Sequence, residues 1–236
     1  MRNLFITLTF FFYATVFGQI ELKIVELKKD SLKNEKLVIE IRNLTNNYLA
    51  VPFDQKGFKG YNSEELCSDL KILDYPHRFF GLALIFKDKN ESKEPIQSLV
   101  RSYHVNDKDV VIDKVGLEES KTKDNLTNWG KNNKLKSQTE IERNFYIMHN
   151  LLLLEPKEKI RMNFDLDIFD IKRGETSFYN YYILNNNEEY SLSLKLCADK
   201  FIYNYLTVKQ KQELKKYKFF SGMIESNTVP YLFSYE

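Results

Sequence analysis

Ile160-Arg161-Met162-Asn163-Phe164-Asp165-Leu166-Asp167-Ile168 alternates without a break, with five apolar residues on one side and four polar residues on the other. A period of two over nine residues is the pattern of a strand with one buried and one solvated face. The same period recurs in Lys36–Arg42, where Leu37, Ile39 and Ile41 share a face, and in Tyr190–Leu196, where Tyr190, Leu192, Leu194 and Leu196 do. Gln19–Leu27 alternates until Ile24 and Val25, where the phase slips as at a β-bulge. Phe79–Phe86 and Phe145–Leu154 are near-continuous apolar runs, which suit strands covered on both faces. Asn43–Asn47 reads as a turn before a strand from Tyr48 to Val51 that Pro52 closes. Asn185–Glu189 reads as the turn of a hairpin joining Phe178–Leu184 to Tyr190–Leu196, because asparagine tolerates left-handed positions. Tyr217–Ile224 reads as a last strand.

Helix signals are few and late. Asp199 can cap a short helix carrying Phe201, Ile202, Tyr205 and Leu206. Thr207 and Gln210 have capping-box spacing, and Lys215 and Lys216 suit the end of the helix that follows. A further short helix is expected at 62–70. From about 113 to 140 the chain is rich in Lys, Asn, Ser and Thr and has little periodicity, so it reads as a long surface insertion. Regular short strands with turn signals predict an all-β fold, a mainly antiparallel sandwich, with one or two short helices near the C-terminus.

The first residues carry an address. Arg2 precedes an apolar run from Leu4 to Phe17, and Val16 and Gly18 place small residues before Gln19. That layout predicts a secretory signal peptide over residues 1–18, cleaved between Gly18 and Gln19. The run of about 14 residues is shorter than the ~20 a membrane helix needs. The expected mature chain, 19–236, is a single domain in the periplasm or outside the cell, with no transmembrane segment. With 43% hydrophobic and 14% aromatic residues the full 236-residue sequence is too apolar for a disordered chain. The formal charge of +2, with lysine and asparagine scattered along the sequence, argues against nucleic acid as a partner.

Two cysteines, Cys67 and Cys197, both survive cleavage. In an oxidising compartment they can form one bridge, and Cys197 falls on the polar face of its strand, where a lone thiol is a liability. The alternative is two unpaired thiols, one packed as a small hydrophobe. His77, His104 and His149 have no second ligand at metal spacing, and His149 would share a strand face with Phe145, Ile147 and Leu151. Asp165, Asp167 and Asp170 are the best oxygen-ligand cluster, but they lack a glycine turn and a full ligand set, so a solvated polar face is the simpler reading. Glu64, Glu65 and Asp69 read the same way. No motif assigns a catalytic residue, a metal or a cofactor. Trp129, the one tryptophan, lies in the insertion with Leu126 and Leu135 nearby. It is the candidate for contact with a protein or glycan partner, against the plainer reading that it pins the insertion to the body. Asn43, Asn90 and Asn125 each begin an N-glycosylation acceptor pattern.

Phe17-Gly18-Gln19 resembles signal-peptide junctions of Bacteroidota. Leu154-Glu155-Pro156-Lys157-Glu158 is similar to the L-x-P-G-E lead into a late strand of bacterial immunoglobulin-like domains, with Lys157 where glycine is usual. Phe220–Asn227 with Val229-Pro230 resembles the endings of exported flavobacterial proteins of unassigned activity. The resemblance implies an exported immunoglobulin-like β-sandwich and transfers no functional residue. The leading functional expectation is a non-catalytic binding protein. The alternatives are an inhibitor of a secreted enzyme or an immunity-type protein on the same fold, and a hydrolase whose site gathers distant residues such as Cys67 or His104. Export and cleavage are expected to leave a chain starting at Gln19, which intact mass of the exported protein checks; a chain still starting at Met1 contradicts it.

Overall fold

The structure, a computed structural model, describes residues 18–29, 35–63, 80–89, 94–102, 123–172 and 178–234. The described chain is mostly β, and its sheets are rich in antiparallel pairs. β1 (Ile20–Lys29), β2 (Glu35–Asn43) and β8 (Lys159–Leu166) form one three-stranded sheet in the order β1-β2-β8. Their register places Leu22 opposite Ile41 and Ile39 opposite Met162, so the alternation in the three strands falls in phase on one buried face. The opposite face alternates in charge: Lys23 lies 2.8 Å from Glu21 and Lys159 3.2 Å from Glu40. The register slips between Ile24 and Glu26, at the expected bulge. There the side chain of Asn227 stands in for a neighbouring strand. Its Oδ1 accepts from Ile24 N at 2.7 Å and its Nδ2 donates to Ile24 O at 3.2 Å.

β11 (Glu188–Ala198) is the central strand of the largest sheet. It pairs antiparallel with β5 (Leu82–Asp88) on one side, and with β13 (Gly222–Glu225) and β14 (Val229–Phe233) on the other. β4 (Phe58–Gly60) adds parallel to β5. Leu82 to Phe86 are fully buried on both faces of β5, as their continuous apolar run implies. A third sheet has the order β12-β3-β7, from β12 (Tyr217–Phe219), β3 (Tyr48–Pro52) and β7 (Leu151–Leu154). A fourth has the order β6-β10-β9, from β6 (Leu99–Ser102), β10 (Phe178–Tyr181) and β9 (Ile171–Lys172). Side chains from all four sheets enter one apolar cluster that includes Leu37, Ile39, Leu84, Phe86, Leu154, Ile171 and Leu194. Within it Tyr182 is 1% exposed, and its hydroxyl accepts from Tyr61 N at 2.7 Å and donates to Leu84 O at 2.5 Å. Burial raises its pKa well above the ordinary tyrosine value.

Four expectations need correction. Residues 123–133 are helical, and a second helix runs Gln138–His149. These are α1 (123–133) and α2 (Gln138–His149), so the described part of the insertion is not a loop. The run Phe145–Leu154 is not one strand but the end of α2, a cap at Asn150, and β7. Phe178–Leu184 and Tyr190–Leu196 do not form a hairpin: β10 pairs with β6 and β9, while β11 pairs elsewhere. Asn187 does take the left-handed conformation, at φ 63°, but the reversal carries the chain from one sheet into another. Tyr217–Ile224 is broken into β12 and β13 just before Gly222, whose φ of 128° suits glycine alone. A 3-10 helix (Lys200–Tyr205) capped by Asp199 and α3 (Val208–Glu213) with its Thr207–Gln210 capping box stand near the C-terminus. The segment 64–70, part of the further helix considered at 62–70, lies outside the described residues.

Asn43 holds the two turns at one end of β2 and β8 together. It is fully buried; its Nδ2 donates to Asn47 O at 2.7 Å and Glu155 O at 2.8 Å, and its Oδ1 accepts from Thr45 N at 2.9 Å and Thr45 Oγ1 at 2.8 Å. With its amide so engaged, Asn43 is unavailable as a glycan acceptor in the folded chain. Asn43→Ala removes these bonds and leaves buried carbonyls unpaired, so it is expected to lower stability by about 2–4 kcal/mol in urea unfolding. Lys36→Ala, on the solvated side of the same strand, is the control and is expected to change stability by less than about 0.5 kcal/mol.

Candidate functional site

The surroundings of Trp129 are the best-defined cluster of candidate residues. Ser137 and Glu140 form a capping box that starts α2, the same device that starts α3. α2 then presents Asn144, Phe145, Tyr146, Ile147 and His149 over its last turns. Gly130 of α1 packs against Ile141 so closely that an added Cβ would lie 2.5 Å from Ile141 Cδ1. Leu126 is buried beneath α1, while Leu135 is half-buried.

Beneath the helices is a buried amide hub. Asn144, fully buried, and Gln210, 2% exposed, bond reciprocally: Asn144 Nδ2 donates to Gln210 Oε1 at 2.7 Å, and Gln210 Nε2 donates to Asn144 Oδ1 at 2.9 Å. Trp129 Nε1 also donates to Asn144 Oδ1, at 2.8 Å. The second Asn144 donor goes to Tyr205 O at 2.6 Å, and the second Gln210 donor to Asn133 Oδ1 at 3.2 Å. Gln210 Oε1 takes Thr207 N at 2.8 Å, so one side chain serves both the hub and the α3 cap. Every donor and acceptor of the pair is used, which makes the network stabilising rather than a burial penalty. Arg143 extends it outward, donating to the Tyr205 hydroxyl and lying 5.0 Å over the Tyr205 ring.

The outer surface of the same cluster is aromatic. Trp129 is half-buried, with its ring centroid 5.5 Å from Phe145 and 4.9 Å from His149; Phe145 and His149 are 4.0 Å apart. His149 is exposed on the last turn of α2, with Nδ1 2.8 Å from Phe145 O. It is therefore a surface helix residue, not a core residue of a strand. Sequence reasoning missed α2 and with it this cluster, although Ser137-x-x-Glu140 has the spacing that was legible at Thr207-x-x-Gln210.

The other candidates separate. Asp165 is exposed on β8, while Asp167 Oδ1 accepts from Phe169 N at 2.9 Å and Asp170 N at 3.2 Å as a turn residue. No group of three or more His, Cys, Asp or Glu among the described residues could hold a metal ion. Asp54, buried beside α2, has both oxygens engaged, by Lys56 N at 2.9 Å and the Tyr146 hydroxyl at 3.0 Å. It is an anchor for α2. Cys197 is half-buried on β11, opposite Met223 in the register. Cys67, His77, His104, Asn90 and the cluster Glu64, Glu65 and Asp69 lie outside the described residues. No helix among the described residues is long and apolar enough to cross a membrane.

No family model, curated relative or solved structure matches the chain. The site therefore rests on its own geometry. Asn144→Ala leaves the Gln210 amide and Trp129 Nε1 without their shared partner in a buried setting. It is expected to destabilise by about 3 kcal/mol and to shift native Trp129 emission to longer wavelength. Trp129→Phe keeps the ring packing, loses one bond, and is expected to cost about 1 kcal/mol by the same urea titration.

Proposed function

We propose that this chain is an exported, non-catalytic binding protein on an immunoglobulin-like β-sandwich, and that it contacts a protein or glycan partner at the aromatic surface around Trp129. The observation that carries the reading is the cluster itself: a half-buried tryptophan, held from below by Asn144, shares its outer surface with Phe145 and the exposed His149. A ring fixed in orientation by a buried hydrogen bond loses little entropy on binding, which is what a contact residue needs. The antiparallel sheets that share one core support the sandwich. Lys157 supports the resemblance to bacterial immunoglobulin-like domains, because it adopts φ 62° where that motif has glycine. Its turn is held by Lys157 Nζ donating to Leu44 O at 2.6 Å.

The same reading includes a Cys67–Cys197 disulfide. It rests on Cys197 lying half-buried on the polar side of its strand and on Cys67 being the other cysteine of the chain. It would close a loop of about 130 residues, for which chain entropy gives roughly 4–5 kcal/mol. Non-reducing peptide mapping of the exported protein is expected to recover the crosslinked peptide; two alkylatable thiols remove the bridge.

A photo-crosslinking amino acid at position 149 tests the contact surface, with position 23 on the ion-paired face of β1 as control. Adducts in the exported fraction are expected from position 149 alone. Adducts from neither position, or equally from both, reject this surface.

A further inference from the structure

The helices collect charge that looks dispersed in the sequence. Residues 123–150 and 199–219 hold eleven Lys and Arg against five Asp and Glu, a formal +6 in a chain that totals +2, so the remainder sums to −4. The two segments are far apart in the chain, and the Asn144–Gln210 pair brings them into one layer over a second small core of Phe80, Ile147, Ile202 and Leu214. Along 200–218, Lys200, Lys209, Lys211, Lys215, Lys216 and Lys218 are all exposed. The one acidic residue among them is Glu213, 3.8 Å from Lys209. The face of β1, β2 and β8 is the contrast, since its lysines alternate with acids that cancel them.

Two large apolar side chains stand among these lysines. Val208 is 87% exposed beside Lys209, and Phe201 is 53% exposed beside Lys200. Both open a helical turn whose other apolar residues, Ile202, Tyr203, Leu206 and Leu214, point into the core. Lysines in excess with exposed apolar groups between them match a surface that is anionic at its headgroups and apolar just beneath. A phosphodiester backbone would use the lysines but gives Val208 and Phe201 no apolar environment.

We propose that the surface formed by the 3-10 helix, α3 and β12 docks on an anionic phospholipid bilayer, with the lysines on the phosphates and Phe201 and Val208 entering the interfacial layer. The site is distinct from the Trp129 surface and does not depend on a partner binding there.

The test uses the chain purified after export and vesicles of phosphatidylglycerol or phosphatidylcholine. Partition to phosphatidylglycerol is expected to be at least ~10-fold stronger and to vanish at about 1 M salt, where the screening length is about 3 Å. The triple variant Lys211→Glu, Lys215→Glu, Lys218→Glu spares the lysines that contact Glu213 or aromatic rings, and it is expected to lose roughly a hundredfold. Phe201→Ser with Val208→Ser is expected to weaken binding about tenfold while keeping the salt dependence. If the triple reversal melts early, the Lys→Gln triple gives the reading instead. Equal binding to both lipids, or unchanged binding by the lysine variants, overturns the proposal. So does capture of double-stranded DNA without vesicle binding, which reassigns the face to nucleic acid.

Discussion

The antiparallel pairing of β11 with β5 is the constraint on which the rest of the structure depends. Tyr190 to Lys195 run opposite Asp88 to Ala83, and the buried residues along this pair are almost wholly withdrawn from water. Because β11 is eleven residues long, it has room on its other edge for both β13 and β14, which follow one another in the chain. The turn between them places Ser226 and Asn227. Ser226 Oγ accepts from Leu194 N at 2.8 Å, and Asn227 reaches Ile24 on β1. One long central strand therefore fixes the C-terminal segments and, through Asn227, the bulge of the first strand. An amide side chain filling the open edge of a bulge also denies that edge to another strand, a recurrent need of β proteins.

The helices depend on a different kind of contact. Their apolar core is small, with Phe80 stacked on Tyr146 at 5.2 Å and Tyr203 on Phe219 at 4.3 Å. What sets α1, α2 and α3 in one arrangement is the directional Asn144–Gln210 pair, with Trp129 and Asn133 on the α1 side and Tyr205 and Thr207 on the α3 side. Apolar packing tolerates sliding, whereas a fully bonded buried amide pair has one good geometry.

Strands whose apolar residues gather mainly on one face were legible because that face imprints a period of two: Lys36–Arg42, Ile160–Leu166 and Tyr190–Leu196 lie in β2, β8 and β11. The phase slip at Val25 was legible for the same reason. Phe145–Leu154 misled because α2 ends in Phe145, Tyr146, Ile147 and Met148, and β7 begins at Leu151, so two elements of different period read as one apolar run. The polar composition of 123–137 hid α1, whose inward contacts are made by Leu126, Trp129, Gly130 and Asn133 rather than by an apolar stripe. The burial of Asn43, Asn144 and Gln210 has no sequence signature, although Gln210 has capping-box spacing with Thr207, since asparagine and glutamine are ordinarily surface residues and only the fold supplies their buried partners. The Trp129 cluster inherits that limit: the tryptophan could be singled out, but Phe145 and His149 join it only once α2 is recognised.

The choice of neutral amides at the hub bears on the surface above it. A buried ion pair in place of Asn144 and Gln210 would have carried a large desolvation penalty and placed a carboxylate beneath the lysines. The amide pair gives the same directional control without adding charge of either sign. Lys211, Lys215 and Lys218 are exposed, so their mutual repulsion is screened by solvent and weak. The layer can thus carry a net positive charge at little cost to its own stability, and packing and surface charge are separated into different residues. Substitutions on that surface can change what it attracts without disturbing the hub that holds the helices.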